Sequence, residues 1–159
     1  MSLAGALVGG FVGTIVLTTA LRISQEIGLT RMDIPLLLGT IFSPDRTRAN
    51  VYGYAFHFAN GLLFSLAYAA VFFAVGRAGW LFGAILGLVH AAFAGGALVN
   101  ILLPVVHPRM GTRWSDARDT PSLEPPGFML RNYGRHTALA TIVAHLAYGA
   151  IVGGFAAGL

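Results

Sequence analysis

Residues 3–21 read LAGALVGGFVGTIVLTTAL, nineteen positions without a charged side chain before Arg22. A helix that crosses a bilayer needs roughly 20 predominantly apolar residues, and this stretch meets that length in one run. It has no basic start and is longer than the apolar core of a secretory signal, so it reads as an uncleaved first span. Working outward, three further stretches have the same character: 51–75, 80–103 (which stops before Pro104) and 137–159. The expected fold is all-α, an integral membrane protein in which four transmembrane helices form a compact bundle. It makes one membrane domain over residues 1–159, with long connections at 22–50 and 104–136. The composition agrees, with 56 % hydrophobic and 10 % charged residues and a mean hydropathy of +0.74. A soluble domain usually carries about 25 % charge, and a disordered chain needs low hydrophobicity.

The ten basic residues are all arginine, against six acids and no cysteine. Four antiparallel spans put both long connections on one side, which then holds Arg22, Arg31, Arg46, Arg48, Arg109, Arg113, Arg118, Arg131 and Arg135. Arg77 stands alone on the other side. Positive charge near spans marks the cytoplasmic face, so both termini are expected on the outer side. Trp80 and the pair Tyr52 and Tyr54 fall where interfacial aromatics prefer to sit. The charge is not the footprint of a nucleic-acid reader, because no basic helix face with interleaved aromatics is present. Arg46, Arg48, Arg131 and Arg135, at the inner border, are candidates to hold anionic lipid headgroups.

The first connection contains Ile34–Phe42 (IPLLLGTIF), too short to span, which is expected to lie in the interface or to re-enter the bilayer. Ser43-Pro44-Asp45 reads as an N-cap, a first-position proline and a first-turn acid, starting a helix near residue 44. The second connection carries five prolines, Trp114 and three acids, and is expected to form an irregular cytoplasmic cap.

Small residues recur every four positions: Gly5, Gly9 and Gly13; Gly53, Gly61, Ser65 and Ala69; Gly83, Gly87, Ala91 and Gly95; Gly149 and Gly153. Lipid tails are as apolar as leucine, so helices in a membrane associate by close backbone approach at such seams. Tight packing follows, and an oligomer contact wherever a seam faces outward.

Ionisable groups within spans are costly and mark function by default. Here they are His57, His90 and His145, with His57-x-Ala-x-Gly61 echoed by His145-x-Ala-x-Gly149. At 1.5 Å per residue His57 and His145 lie about 9 and 12 Å from the inner end, and His90 about 20 Å. His57 and His145 are therefore the expected pair for haem ligation; a transition metal such as Zn or Cu and a relay for protons or a permeating species are the other chemistries. The favoured reading is structural and without a cofactor: each imidazole bonds Thr141, Asn60, Tyr148 or a backbone carbonyl between helices. His107 and His136 fall at loop borders. No nucleophile elbow, phosphate loop, zinc-protease motif or paired acidic site is present, and Asp116, Asp119 and Glu124 read as a solvated acidic stretch.

Four segments are similar to those of a group of small bacterial four-helix membrane proteins with no assigned activity: Met32-Asp33-Ile34-Pro35-Leu36-Leu37-Leu38-Gly39-Thr40, Leu123-Glu124-Pro125-Pro126-Gly127-Phe128, Asn132-Tyr133-Gly134-Arg135 and Ala144-His145-Leu146-Ala147-Tyr148-Gly149. The resemblance implies the same fold and an inner-membrane location, and no activity. The expected role is a non-catalytic accessory protein or subunit, with the bilayer and itself or other membrane subunits as partners and no nucleic acid. The alternative is a channel, transporter, or haem- or metal-carrying electron-transfer protein built on His57, His90 and His145.

Overall fold

The computed structural model describes residues 1–111 and 123–158. Among them the chain is helical: α1 Leu3–Glu26, α2 Ile34–Gly39, α3 Arg46–Val75, α4 Trp80–Phe93, a π-helical stretch Ala94–Leu102, α5 Leu103–Val106, a 3-10 turn Phe128–Tyr133 and α6 Thr137–Ala157. Four segments are long and apolar enough to cross a membrane: Leu3–Glu26, Arg46–Val75, Trp80–Val106 and Thr137–Ala157.

Local chemistry sets the boundaries, and several differ from expectation. Helix α1 runs past Leu21 to Glu26, carried by an exposed Arg22–Glu26 ion pair at 2.8 Å. Helix α3 is capped by Asp45, whose carboxylate accepts from the Arg48 amide at 2.9 Å. The expected cap, Ser43, instead accepts from the Asp45 amide at 3.2 Å. The short acid side chain one residue before the helix reaches the orphan amides better than a hydroxyl three residues away. Gly76, with φ 71°, closes α3 in the left-handed conformation that an L side chain resists.

The third long segment does not stop before Pro104. It continues to Val106 because the preceding turns widen into the π-helical stretch. Proline has no N–H and its ring crowds the carbonyl four residues back; a wider helix relieves that crowding. The Asn100 amide donates to the Gly95 and Gly96 carbonyls, both at 2.9 Å, and ties the widened turns together.

The helices pack in the order α3, α1, α6, α4. Along α4 and α6 the backbones touch: a methyl on Gly83 or Gly149 would run into the carbonyl of the other, and one on Gly87 into that of His145. Gly5, Gly9 and Gly13 of α1 lie against Phe155, Val152 and Tyr148 of α6, and Gly10 of α1 against Ser65 of α3. The four-residue seams thus sit at helix contacts. Helices α3 and α4, adjacent in sequence, are the exception. Aromatic rings fill the space between them, with Phe72 against Phe82 at 5.7 Å and Phe64 against His90 at 3.9 Å between centroids.

Both termini lie at one end of the bundle, where the Ser2 amide donates to the Ala156 carbonyl at 2.8 Å. The two long connections meet at the other end. The Arg31 amide donates to the Tyr133 carbonyl at 2.7 Å, and the Thr30 and Thr137 hydroxyls are 2.7 Å apart. Ile34–Phe42 contributes the short helix α2, capped by Asp33 and packed so closely on the start of α3 that Gly39 meets Ala49 and Gly53 meets Pro35. In the second connection, Met129 and Leu130 adopt left-handed backbone (φ 54° and 57°), which turns Leu130 into the core and sets Met129 on Gly95. Arg113, Trp114, Asp116, Arg118 and Asp119 lie outside the described residues.

Candidate functional site

A cavity of about 110 Å³ lies inside the bundle, on the side where α3 and α4 stand apart. Its walls are Thr14 and Leu17 of α1, Ile34, Leu37 and Leu38 of α2, His57, Asn60 and Phe64 of α3, His90, Ala94, Leu98 and Val99 along α4 and the π-helical stretch, and Thr141, His145 and Tyr148 of α6. Aromatic spacers in place of a glycine seam, and a widened helix in one wall, are the local causes of the space. All three histidines singled out in the sequence line it. None of the lining side chains, among the described residues, is an arginine or an acid.

Hydrogen bonds assign the ring nitrogens of two of them. The Thr18 hydroxyl donates to the Thr14 carbonyl at 2.6 Å, so its oxygen is left to accept from Nε2–H of His57 at 3.0 Å. Nδ1 of His57 then carries a lone pair. His145 donates Nδ1–H to the Thr141 carbonyl at 2.8 Å, because a carbonyl can only accept, and its Nε2 carries the lone pair. His90 is held by stacking on Phe64 and by the Tyr68 hydroxyl, 3.4 Å from Nδ1. The Tyr148 hydroxyl crosses to the Gly61 carbonyl. One group has no partner: the Thr141 hydroxyl is the only enclosed side-chain polar atom among the described residues without a hydrogen bond.

The expected pairing of His57 with His145 differs from the pair that touches. His145 packs edge-on against His90, with ring centroids 4.7 Å apart at 85°. The close Gly87–His145 backbone contact brings α4 and α6 together at that level, whereas depth counting assumed straight helices of common origin. His57 is drawn to α1 through Thr18. Two rings in perpendicular contact leave no place for iron between His90 and His145, and the cavity is well below the roughly 300 Å³ at which sites for drug-sized ligands begin. Among the described residues, no cluster of three or more histidine or acidic side chains is placed to hold a metal ion.

The wall made by α2 is fastened from outside the cavity. His107, 4 % exposed, points Nε2 at the Leu37 carbonyl (3.0 Å) and the Thr40 hydroxyl (3.2 Å), while Nδ1 accepts the Arg109 amide at 3.1 Å. The Arg109 guanidinium caps α2 by donating to the Thr40 and Ile41 carbonyls. Burial holds the His107 imidazole below the ordinary histidine value; the hydrogen bond to the Leu37 carbonyl opposes this, and the adjacent Arg109 charge adds a smaller lowering effect. A second, smaller cavity of about 20 Å³, lined by Arg22, Gln25, Asp33 and Tyr54, shares His57 and Ile34 with the first.

Arg46, Arg48, Arg131 and Arg135 are all exposed at the end where the connections meet, and the Arg135 side chain donates to His136 at 2.8 Å. Sequence reasoning missed Thr14, Thr18 and the His107–Arg109 clasp. The four-residue spacing of the two threonines was the available signal for the first pair. Comparison of the chain with protein-family models, with curated proteins and with solved structures finds no match.

Proposed function

We propose that this chain is a multi-pass protein of the bacterial inner membrane whose working part is the histidine-lined cavity. There it takes up a small uncharged polar solute in the manner of a channel or transporter. The observation that carries the reading is the convergence of His57, His90 and His145, from three different helices, on one space. Ionisable groups inside an apolar bundle are costly and mark function by default. Four apolar helices, and arginines concentrated at the end opposite the termini, support a topology with both termini on the outer side. In that placement exposed Arg46, Arg48, Arg131 and Arg135 meet anionic headgroups.

Stopped-flow measurements on proteoliposomes test the reading. Urea and glycerol are expected to equilibrate faster than in protein-free vesicles, and Ala94→Phe, which fills the cavity from the π-helical wall, should remove the excess. Equal rates with and without protein would refute it.

A second reading, a non-catalytic subunit of an oligomer or larger membrane complex, is favoured by Ala55, Ala59, Ala67, Ala70 and Ala74. These line one exposed face of α3 with no partner in the chain. Native mass spectrometry with and without Ala59→Trp distinguishes it, since a contact through that face is lost when the bulky ring is introduced.

A further inference from the structure

We infer that the cavity selects solutes that donate hydrogen bonds: neutral primary amides or alcohols of about six non-hydrogen atoms or fewer, the size set by comparison with the benzene-sized cavity of about 150 Å³. This inference rests on the solute-binding reading above and adds the chemistry of the occupant.

The tautomers determine what the cavity lacks. Nε2–H of His57 is committed to Thr18 and Nδ1–H of His145 to the Thr141 carbonyl. Each ring is left with an acceptor. Neither acceptor nitrogen has a partner among the described residues, and neither is enclosed in the way the Thr141 hydroxyl is. Two residues that line one cavity therefore bring two lone pairs to it, while the Thr141 hydroxyl is enclosed in the wall behind. Asn60, also in the wall, supplies an amide with both capacities. His57 and His145 supply two acceptors against the single ring N–H of a neutral His90, so an occupant that donates satisfies groups that an acceptor-only or apolar occupant leaves bare, and unsatisfied buried groups are what enforce selectivity of this kind. Charge is excluded because no lining side chain among the described residues offers a formal counter-charge.

Acetamide and acetone have the same number of heavy atoms and differ by an NH₂ in place of a methyl group, so they isolate donation from size. The full chain in lipid nanodiscs, with ¹⁵N-labelled histidine, is titrated with each. Acetamide is expected to move the His57 and His145 ring resonances with an affinity about tenfold above that of acetone, the value of one hydrogen bond. Equal affinities at those same rings would overturn donor selection while leaving the solute-binding reading in place. If neither probe moves those resonances, or both move only resonances elsewhere, both readings fail.

Discussion

Gly83 and Gly149 face each other across the α4–α6 contact, each carbonyl occupying the place where a methyl on the other would stand. The contact continues through Gly87 and Gly153, so two helices distant in sequence share a backbone-to-backbone seam. Gly149→Ala has no flexible side chain to displace. It is expected to cost about 1–3 kcal/mol as overpacking, read as a lower midpoint for unfolding in mixed micelles. Gly28→Ala does not probe the seam: nothing lies within 4 Å of its Cβ position, but its positive φ adds backbone strain. Gly96→Ala, whose Cβ would meet only the Phe128 ring at 4.0 Å, is the appropriate control and should be nearly silent. Comparable losses at both sites would remove the seam from the account of stability.

The His107 clasp should make α2 sensitive to acid. Its folded-state value lies below the unfolded value of 6.5, so the unfolded chain binds more protons in the interval below 6.5. The clasp therefore contributes in full above pH 6.5 and loses its contribution as pH falls through that interval. Protonation also places a hydrogen on Nδ1, where the Arg109 amide now donates. Thermal melts between pH 8 and pH 5 should show a falling midpoint for the parent chain and a flatter profile for His107→Asn. A parent profile as flat as the variant's would contradict the assignment.

His57 stands between the larger cavity and the small polar one that holds Arg22, Gln25 and Asp33. Removing the ring by His57→Ala joins the two spaces. Solute equilibration in proteoliposomes should then rise, by several-fold if passage past this ring limits the rate, with selectivity for donors reduced. A fall to the protein-free rate would show instead that the ring is needed for passage.

Thr141→Val should leave stability unchanged or raise it by up to about 1 kcal/mol, because an unsatisfied buried hydroxyl is replaced by a methyl group of the same shape. The measurement is made in solute-free micelles. A loss of more than about 1 kcal/mol would mean that the hydroxyl is already satisfied, as by a bound water.

Much of the architecture was readable from residue order. The apolar run at Leu3–Leu21 and the glycine spacing in α1, α4 and α6 needed only the solvent and the helical repeat to interpret. Asp45 was recognised as a helix-start residue but given the wrong position, since Ser43 and Asp45 both satisfy the pattern and only backbone geometry chooses between them. The π-helical stretch left a weaker trace. Pro104 marks a stop in the sequence pattern, and nothing local reveals that Asn100 can hold a widened turn open through it.

The candidate site divides along the same line. That three imidazoles and a threonine lie within apolar helices was determined by the sequence, because helix length and hydrophobicity are sums over neighbouring residues. Which ring meets which, which nitrogen keeps its lone pair and whether a cavity exists were decided only by the tertiary structure. Those outcomes depend on helix order, tilt and sub-ångström contacts between residues such as Gly87 and His145, 58 positions apart in the chain, and no local pattern encodes them.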